Sequence, residues 1–330
     1  MQSSLITLND IKLARSRISG VAIHTPIVQL FEHPHSPPLY LKAECLQPIG
    51  AFKIRGAYNK IASLSVAEKA NGVIAFSSGN HAQGVAYAAG TLGIDATIVM
   101  PSTAPTVKKE QTRKLGANIV EVYEGSEEDW KITAENMATE RGLAMIPPFD
   151  DEIIIAGSGT AGLEICDDLP EVDLVLVPIG GGGLLSGVAA AIKLSGSKAK
   201  IVGVEPELAG DARASFRRGQ IVEFKLEQTR QTMADGMRAT RIGTRNFQHM
   251  QAFVDDMLVV TEKDIENSVR RITLDAGLVV EPSGAVAAAA WLFHRGKLPT
   301  AQNVVAFVSG GNIDPIVLAD ILRTSSPQSV

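Results

Sequence analysis

The chain of 330 residues is 45% hydrophobic and 20% charged, and its 31 basic and 36 acidic residues give a net charge of −5. This balance is typical of a globular chain with a sizeable core, and the length suits one large domain or two ordinary ones. The acidic balance argues against a protein that binds nucleic acid, which needs a basic surface.

Neither a membrane span nor a secretory leader is expected. No apolar stretch reaches the roughly 18 residues that a membrane helix needs. Charged residues between Asp10 and Arg17 stand where a leader would be apolar. The two cysteines, Cys45 and Cys166, form no CxxC pair and are too few for a disulfide scaffold. We therefore expect a reducing, cytoplasmic location.

Short apolar runs alternate with helix-length stretches along most of the chain. The predicted strands are Val73–Ser77, Ala96–Met100, Ile119–Val122, Leu174–Pro178, Ile201–Val204 and Val304–Val308. The predicted helices are His81–Leu92, Thr106–Leu115, Glu127–Arg141 and Leu184–Leu194. This alternation predicts an α/β protein with parallel sheet, and the continuous apolar runs predict strands that are covered on both faces.

Three of the predicted strands lead into glycine-rich loops. These loops are Ser78-Gly79-Asn80-His81, Gly180-Gly181-Gly182-Gly183 and Ser309-Gly310-Gly311-Asn312. In open α/β sheets, ligands bind outside the carboxyl ends of the strands. One crevice lined by all three loops is therefore expected, whereas any single loop is also explained as a tight connection.

The tetraglycine loop, Gly180 to Gly183, precedes a predicted helix. Without Cβ atoms, its N–H groups can approach an anion closely, and the helix dipole adds positive potential. A phosphate group is the expected ligand. The chain contains no GxxxxGK[ST] sequence, so the loop is not a P-loop.

A dinucleotide site is the alternative for a glycine-rich loop. Residues 157–162 fit GxGxxG, follow the apolar run Ile153–Ala156 and precede a plausible helix. The next strand, however, ends at Pro178 without an acidic residue for a ribose. The tetraglycine loop is followed by Glu205 at the next strand end, but Leu185 occupies the place of the third glycine. Neither segment carries the full fingerprint of a nicotinamide oxidoreductase.

Lys53 lies between Phe52 and Ile54 in the segment GAFKIRGA. Desolvation favours a neutral amine, which can form a Schiff base with an aldehyde. The alternative is a lysine that extends from the start of a helix into solvent. The Ser78–His81 loop offers hydroxyl, amide and imidazole groups that suit a carboxylate, although His81 also fits a cap or a core position. The absence of GxSxG and HExxH sequences gives no support to a hydrolase or a zinc protease.

The motifs GAFKIRGAYN, SSGNHAQGVA and PIGGGGLLSG, in this order, resemble those of fold type II pyridoxal-phosphate enzymes, in the threonine/serine dehydratase and serine racemase group. The resemblance extends from His24-Thr25-Pro26 to the loop at Ser309. It implies a two-domain α/β fold, similar to the tryptophan synthase β chain, with parallel sheets and the cofactor in the crevice between the domains. Residues 1–66 and 148–330 would form the large domain, and residues 67–147 a small mobile domain.

The same resemblance implies which residues hold pyridoxal 5′-phosphate. Lys53 would carry it as a Schiff base, Asn80 would bond its phenolic oxygen and Ser309 would meet its pyridine nitrogen. Phe52 would pack beside the ring. The full set of implied cofactor residues is Phe52, Lys53, Asn80, Gly180, Gly181, Gly182, Gly183, Leu184 and Ser309.

The implied reaction begins when an amino acid displaces Lys53, which then takes the Cα proton as a general base. Loss of a β-hydroxyl group gives a 2-oxo acid and ammonia. Ser77, Asn80 and His81 would receive the substrate carboxylate, and Ser78, across the ring from Lys53, would be a second substrate-binding and catalytic residue. If Ser78 returns a proton on the opposite face, racemisation becomes possible.

The segment Glu205-Pro206-Glu207-Leu208-Ala209-Gly210-Asp211 is similar to a cation-binding loop of the serine racemase group. The resemblance implies that Glu205, the carbonyl group of Ala209 and Asp211 bind Mg²⁺, or else Ca²⁺ or Mn²⁺. Hard oxygen ligands suit such cations. The alternative is a solvated acidic loop.

The resemblance predicts a pyridoxal-phosphate ammonia-lyase that acts on a β-hydroxy amino acid such as L-threonine or L-serine, as a homodimer. The alternatives are a serine racemase, a dehydratase of threo-3-hydroxyaspartate or phenylserine, a β-replacement enzyme similar to cysteine synthase, and a non-catalytic binding protein of the same fold. Three residues depart from the family pattern. Ala51 replaces a usual serine, and Ser158 replaces a frequent glutamine. Trp130 lies near the expected substrate entrance, where some relatives carry a polar or cationic residue, and its ring would favour an apolar β-substituent.

Overall fold

The computed structural model describes residues 5–30, 37–104, 106–123 and 127–323. The strands of this part are β1 (Ile27–Leu30), β2 (Leu39–Lys42), β3 (Val73–Phe76), β4 (Ala96–Pro101), β5 (Asn118–Val122), β6 (Ala144–Met145), β7 (Leu174–Pro178), β8 (Lys200–Pro206), β9 (Asp256–Val260) and β10 (Val304–Phe307). The predicted strands are confirmed to within two residues at each end.

Helices connect most of these strands. They are α1 (Leu8–Ile18), α2 (Lys53–Ala62), α3 (Val66–Asn71), α4 (Asn80–Thr91), α5 (Thr106–Lys114), α6 (Glu127–Arg141), α7 (Glu152–Asp168), α8 (Gly183–Leu194), α9 (Asp211–Arg218), α10 (Leu226–Thr229), α11 (Thr244–Phe253), α12 (Glu262–Ala276), α13 (Pro282–His294) and α14 (Pro315–Arg323). Within the described ranges, no helix is both long and apolar enough to cross a membrane.

The strands form two sheets. The larger has the order β1-β2-β10-β7-β8-β9 and is parallel except for β1, which pairs antiparallel with β2. The smaller has the order β5-β4-β3-β6 and is wholly parallel. The predicted α/β class with parallel sheets is confirmed. The smaller sheet lies within residues 67–147, the segment that we predict to be a separate mobile domain.

The larger sheet is buried because helices cover both of its faces. Along β7, Leu174 and Leu176 pack into one apolar cluster with α13, whereas Val175 and Val177 pack into another with α8. This alternation follows from the two-residue period of a strand. The alanine-rich α13 supplies small side chains, which are fully buried from Ala285 to Ala290. The sheet therefore holds the carboxyl ends of β7 and β10 in fixed positions.

Residues 153–162, which contain the GxGxxG sequence but lack the full dinucleotide fingerprint, do not form a loop. The whole segment lies in α7, whose start is fixed by Asp151, because its carboxylate accepts hydrogen bonds from the N–H groups of Ile153 and Ile154 at 2.9 and 3.1 Å. A carboxylate at this position stabilises a helix start. The GxGxxG sequence is therefore in the middle of a helix and forms no dinucleotide loop.

Close packing explains the glycines of this sequence. A Cβ atom at Gly157 would lie 2.6 Å from the carbonyl oxygen of Arg55 on α2, and one at Gly159 would lie 2.8 Å from the carbonyl oxygen of Gly187 on α8. A Cβ atom at Gly162 would lie 2.9 Å from the Cβ atom of Ala191. The glycines let α7 approach α2 and α8 closely.

We expect Gly157→Ala to lower the free energy of unfolding by about 2 kcal/mol, because the methyl group overpacks the α7–α2 contact. Alanine in the middle of a helix is otherwise more stable than glycine by roughly 0.5–1 kcal/mol. Urea unfolding would measure the change. Gly296→Ala is the control, because a Cβ atom there meets nothing within 4 Å. Equal midpoints for the two variants would contradict the packing argument.

Candidate active site

The three glycine-rich loops meet at one cavity of about 220 Å³. It opens at the carboxyl ends of β3, β7 and β10, where ligands bind in such sheets. Every residue predicted to contact the cofactor or the substrate lines this cavity: Phe52, Lys53, Ser77, Ser78, Asn80, His81, Gly180, Gly181, Gly182, Gly183, Leu184 and Ser309. The structure thus brings the predicted set together, and the role of each residue stays a prediction.

The tetraglycine loop forms the start of α8. Gly182 precedes the helix with φ of 101°, in the left-handed region that favours glycine. The carbonyl oxygen of Gly181 accepts hydrogen bonds from Nδ2 of Asn246 at 2.6 Å and from the N–H group of Gly243 at 3.1 Å. The first N–H groups of a helix have no acceptor within the helix. The loop is therefore held on its carbonyl side and offers N–H donors to an anion.

Side chains would not fit on this loop. A Cβ atom at Gly181 would collide with the ring of Phe149, and one at Gly182 would lie 2.8 Å from the Cβ atom of Asn246. A Cβ atom at Gly183 would lie 3.1 Å from that of Phe149. The donor set and the missing Cβ atoms fit a phosphate group at the positive end of α8.

Lys53 is the first residue of α2, and its amine lies in the same cavity. Its Nζ atom donates a hydrogen bond to the carbonyl oxygen of Pro148 at 2.8 Å and lies 5.2 Å from the ring centre of Phe52. A Cβ atom at Gly84 on α4 would lie 3.3 Å from the carbonyl oxygen of Lys53, so α4 packs directly against this position. An amine and a phosphate cradle in one cavity fit pyridoxal 5′-phosphate, which carries an aldehyde and a phosphate.

A buried network of charges anchors the start of α2. Arg55 donates to Glu44 at 2.7 Å through Nε and to Glu164 at 2.6 Å through one terminal nitrogen. Nζ of Lys42 lies 2.7 Å from Glu164. All four side chains are buried, and Lys42, Glu44 and Arg55 have no exposed surface. The network joins β2, α2 and α7, so it fixes the backbone two residues from Lys53.

The charges of this network compensate each other. Burial opposes ionisation of Glu44, but the adjacent guanidinium of Arg55 outweighs it and lowers the pKa of Glu44. For Arg55, burial acts to lower the pKa, and the charges of Glu44 and Glu164 raise it instead. Sequence reasoning gave these residues no role. The signal was Arg55, a second charged residue beside Lys53 in the otherwise apolar and small segment Phe52–Ala57.

Asn80 and Glu281 form a polar contact in the cavity. Nδ2 of Asn80 donates to Glu281 at 2.6 Å, and Oδ1 of Asn80 accepts from Asn312 at 2.7 Å. Burial first, and the charge of Asp235 second, raise the pKa of Glu281 to about 8, although the hydrogen bond from Asn80 opposes the shift. Glu281 is therefore largely uncharged at neutral pH. Sequence reasoning missed it, although it is a lone acid in the apolar run from Leu278 to Val286.

The loop before α4 carries the predicted carboxylate site. The N–H group of Gly79 donates to Oγ of Ser77 at 3.2 Å. Nε2 of His81 is 2.9 Å from the carbonyl oxygen of Ile146. Burial first, and the charge of Lys53 second, lower the pKa of His81 to about 3. The ring of His81 is thus neutral and bonded to Ile146, so it brings no positive charge to a carboxylate.

Ser309 and the predicted metal ligands occupy different places. Oγ of Ser309 lies in the cavity and is 3.5 Å from the carbonyl oxygen of Ser283. Glu205, Ala209 and Asp211 lie outside the cavity lining, at the end of β8 and the start of α9. The described part of the chain contains no group of three or more His, Cys, Asp or Glu side chains that suits a metal ion.

Glu205 and Asp211 are nevertheless an unusual pair, since both carboxylates are buried. Glu205 accepts hydrogen bonds from the N–H groups of Ala212 at 3.1 Å and Arg213 at 2.7 Å. Oδ2 of Asp211 has no hydrogen-bond partner among the described residues. Burial raises the pKa of both groups, and the charge of Asp211 adds to the shift of Glu205.

We expect Lys42→Met to lower the free energy of unfolding by about 3 kcal/mol or more, because it leaves Glu164 buried with one cation fewer. Urea unfolding at neutral pH would measure this change. Lys200→Met is the matched control, since Lys200 is 56% exposed and pairs with Asp255 at the surface. Its effect should stay below about 1 kcal/mol. A similar loss in both variants would show that the buried network contributes no more than a surface pair.

Comparison with known proteins identifies the family. The family model described as pyridoxal-phosphate dependent enzyme matches residues 18–310. L-threonine ammonia-lyase of Thermotoga maritima is 44% identical over 323 residues, which cover 97% of this chain and 79% of the relative.

Two solved structures are similar over nearly the whole chain. A threonine deaminase from T.th. is 40% identical, with a TM-score of 0.88 over 94% of this chain and 99% of the other. Maize serine racemase is 34% identical, with a TM-score of 0.88 over 96% of this chain and 97% of the racemase chain. The resemblance to fold type II enzymes is confirmed, and the nicotinamide alternative is wrong. The chain belongs to the family of pyridoxal-phosphate-dependent enzymes.

Proposed function

We propose that this enzyme is an ammonia-lyase that eliminates water from a β-hydroxy amino acid, such as L-threonine or L-serine. Hydrolysis of the resulting enamine, as its imine, takes up one water and gives a 2-oxo acid and ammonia. The observation that carries the proposal is the presence of the Lys53 amine and the tetraglycine cradle in one cavity. The names of the relatives, an L-threonine ammonia-lyase and a threonine deaminase, favour the same reaction. A non-catalytic binding protein of this fold would not need the amine of Lys53.

Each residue has a defined task in this proposal. Pyridoxal 5′-phosphate, when bound, supplies an electron sink for negative charge at Cα. Lys53 would hold the cofactor, and its Nζ atom, released when the amino group of the substrate takes its place, would accept the Cα proton. Gly180 to Gly183 and the N–H group of Leu184 bind the phosphate, Phe52 packs beside the ring and Ser309 offers a neutral hydroxyl group to the ring nitrogen.

The carboxylate of the substrate binds at the start of α4. Ser77, Ser78 and Asn80 offer side-chain donors there, and the first N–H groups of α4 add the positive end of its dipole. Since the ring of His81 is bonded to Ile146, we assign the contribution of His81 to its backbone N–H group. This carboxylate contact fixes Cα between Lys53 and Ser78.

Closure of the crevice excludes water from the reaction. We propose that residues 67–147 move as a small domain, toward residues 1–66 and 148–330. Lys108 on α5 and Asp235 belong to the two different parts, both line the cavity, and their charged atoms are 2.8 Å apart. This ion pair spans the crevice and would help to hold it closed.

We expect Lys53→Ala to abolish formation of 2-oxo acid from L-threonine and L-serine, because Lys108, the other lysine that lines the cavity, is paired with Asp235. A coupled reduction of the 2-oxo acid would measure the rate, and borohydride reduction followed by peptide mapping would locate the cofactor. Lys114→Ala, at an exposed position, should keep full activity. A lysine variant that still eliminates at the wild-type rate would refute the proposal.

The same assay distinguishes a serine racemase from a lyase. Ser78 lines the cavity together with Lys53, and the similarity to maize serine racemase favours this second candidate. With L-serine as substrate, pyruvate and D-serine are followed together. Abundant D-serine with little pyruvate, lost in Ser78→Ala, would show that racemisation is the main reaction. Dehydration of threo-3-hydroxyaspartate or phenylserine is compared by kcat/KM in the same panel.

We also propose that Glu205, the carbonyl oxygen of Ala209 and Asp211 bind a divalent cation, with Mg²⁺ preferred over Ca²⁺ and Mn²⁺. The unpartnered Oδ2 atom of Asp211 supports this proposal, because a buried polar atom without a partner is costly. Two buried carboxylates and a carbonyl oxygen are ligands of the type that Mg²⁺ takes, with water completing the shell.

Asp211→Ala should abolish any rise in melting temperature that Mg²⁺ gives the wild-type enzyme, since it removes one ligand. Differential scanning calorimetry with and without Mg²⁺ measures this directly, independently of activity. Glu207→Ala in the same loop is the control, because Glu207 is exposed. If Mg²⁺ raised the melting temperature of Asp211→Ala as much as that of the wild-type enzyme, the metal assignment would be wrong.

The remaining expectations concern assembly and location. We propose a homodimer that acts on a small-molecule amino acid, which light scattering of the purified enzyme would test. A cytoplasmic location is supported by Cys45 and Cys166, which are both free thiols.

A further inference from the structure

Besides Phe52 and Phe149, two aromatic rings line the cavity, and neither belongs to the proposed cofactor or carboxylate contacts. Trp130 lies on α6, and Phe76 is the last residue of β3. Both pack against the apolar cluster of Ile74, Val99 and Ala134. Because Phe76 directly precedes Ser77, this aromatic wall is covalently next to the proposed carboxylate site.

Trp130 presents carbon to the cavity. Its Nε1 atom is buried and has no hydrogen-bond partner among the described residues. The polar edge of the indole therefore points away from the open space, and the part of the ring that lines the cavity is apolar. A ligand group beside it gains from contact with apolar surface and finds no donor.

The cations of the cavity are already engaged. Lys108 pairs with Asp235 at 2.8 Å. Arg238 donates from Nε and one terminal nitrogen to the carbonyl oxygen of Thr232 at 3.1 and 2.7 Å. Lys53 is assigned to the cofactor. A second carboxylate on the substrate would have to compete with Asp235 for Lys108 or with the carbonyl oxygen of Thr232 for Arg238, in a cavity that Asp235 and Glu281 also line. Its loss of hydration there is unfavourable.

We propose that Trp130 and Phe76 form the subsite for the group that Cβ carries besides its hydroxyl, and that this subsite selects an uncharged, apolar group. The methyl group of L-threonine and the phenyl ring of phenylserine fit this description, and the second carboxylate of 3-hydroxyaspartate does not. The inference rests on the proposed lyase function and names the substrate class of the same site. One methylene in such a pocket changes kcat/KM by roughly 10–200-fold.

The test compares kcat/KM of the holoenzyme for L-serine, L-threonine, threo-phenylserine and threo-3-hydroxyaspartate. The wild-type enzyme should prefer L-threonine to L-serine, and threo-phenylserine to threo-3-hydroxyaspartate. Trp130→Ala should lower the ratio of kcat/KM for L-threonine to kcat/KM for L-serine about tenfold. Trp130→Arg should raise the ratio of kcat/KM for threo-3-hydroxyaspartate to kcat/KM for L-threonine about tenfold, because it adds a cation. Ile132→Ala, at an exposed position of the same helix, is the matched control and should change neither ratio.

A binding measurement separates this inference from the lyase function. L-alanine, L-2-aminobutyrate and L-aspartate have no β-hydroxyl group to lose, and their binding is followed by the absorbance of the bound cofactor. Trp130→Ala should raise the Kd of L-2-aminobutyrate several-fold and leave that of L-alanine unchanged. A wild-type preference for 3-hydroxyaspartate, or ratios unmoved in Trp130→Ala, would overturn the inference. If no substrate gives a 2-oxo acid, the proposed lyase function is wrong. The Kd values of L-alanine, L-2-aminobutyrate and L-aspartate still show whether the subsite prefers an apolar group.

Discussion

The buried charges of Lys42, Glu44, Arg55 and Glu164 hold the start of α2 against β2 and α7. Burying two cations and two anions is costly unless each is paired and hydrogen-bonded, and here each is. The network fixes the position of α2, because charge-assisted hydrogen bonds allow few alternative arrangements. Since Lys53 lies two residues from Arg55, the position of its amine relative to the larger sheet depends on this network.

The other end of the site is held by packing and backbone geometry. The tetraglycine loop has Phe149 and Asn246 against it, where Cβ atoms would collide, and one of its glycines has a positive φ. The larger sheet thus fixes both the amine and the anion cradle. The carboxylate loop and the aromatic wall of Trp130 and Phe76 come instead from the segment with the smaller sheet. Except for Asn80, which is assigned to both, the groups assigned to the cofactor therefore come from a different part of the chain from those assigned to the substrate.

Prediction from the sequence succeeded where the signal is local. Apolar runs that alternate with helix-length stretches gave the strands and the α/β class, and the three loops were found as glycines that follow such runs. It did not predict α7, because the GxGxxG sequence at residues 157–162 has two possible physical causes. A phosphate loop needs glycines for its turn, and crossing helices need them for close approach. Only the position of Asp151 as a helix start, and of α2 and α8 beside α7, separates these causes.

The sequence by itself indicated the cofactor chemistry, because the motifs around Lys53, Asn80 and the tetraglycine loop together, in this order, resemble those of fold type II pyridoxal-phosphate enzymes. Neither the lysine nor the glycine run decides it alone. Only the tertiary structure decided which distant residues share a site. Glu281 lies 201 positions from its partner Asn80, and Arg55 lies 109 positions from Glu164. The tertiary structure also decided that the apolar part of the Trp130 indole, and not its Nε1 atom, lines the cavity. Burial, pairing and orientation are properties of contacts across the chain, and no local pattern records them.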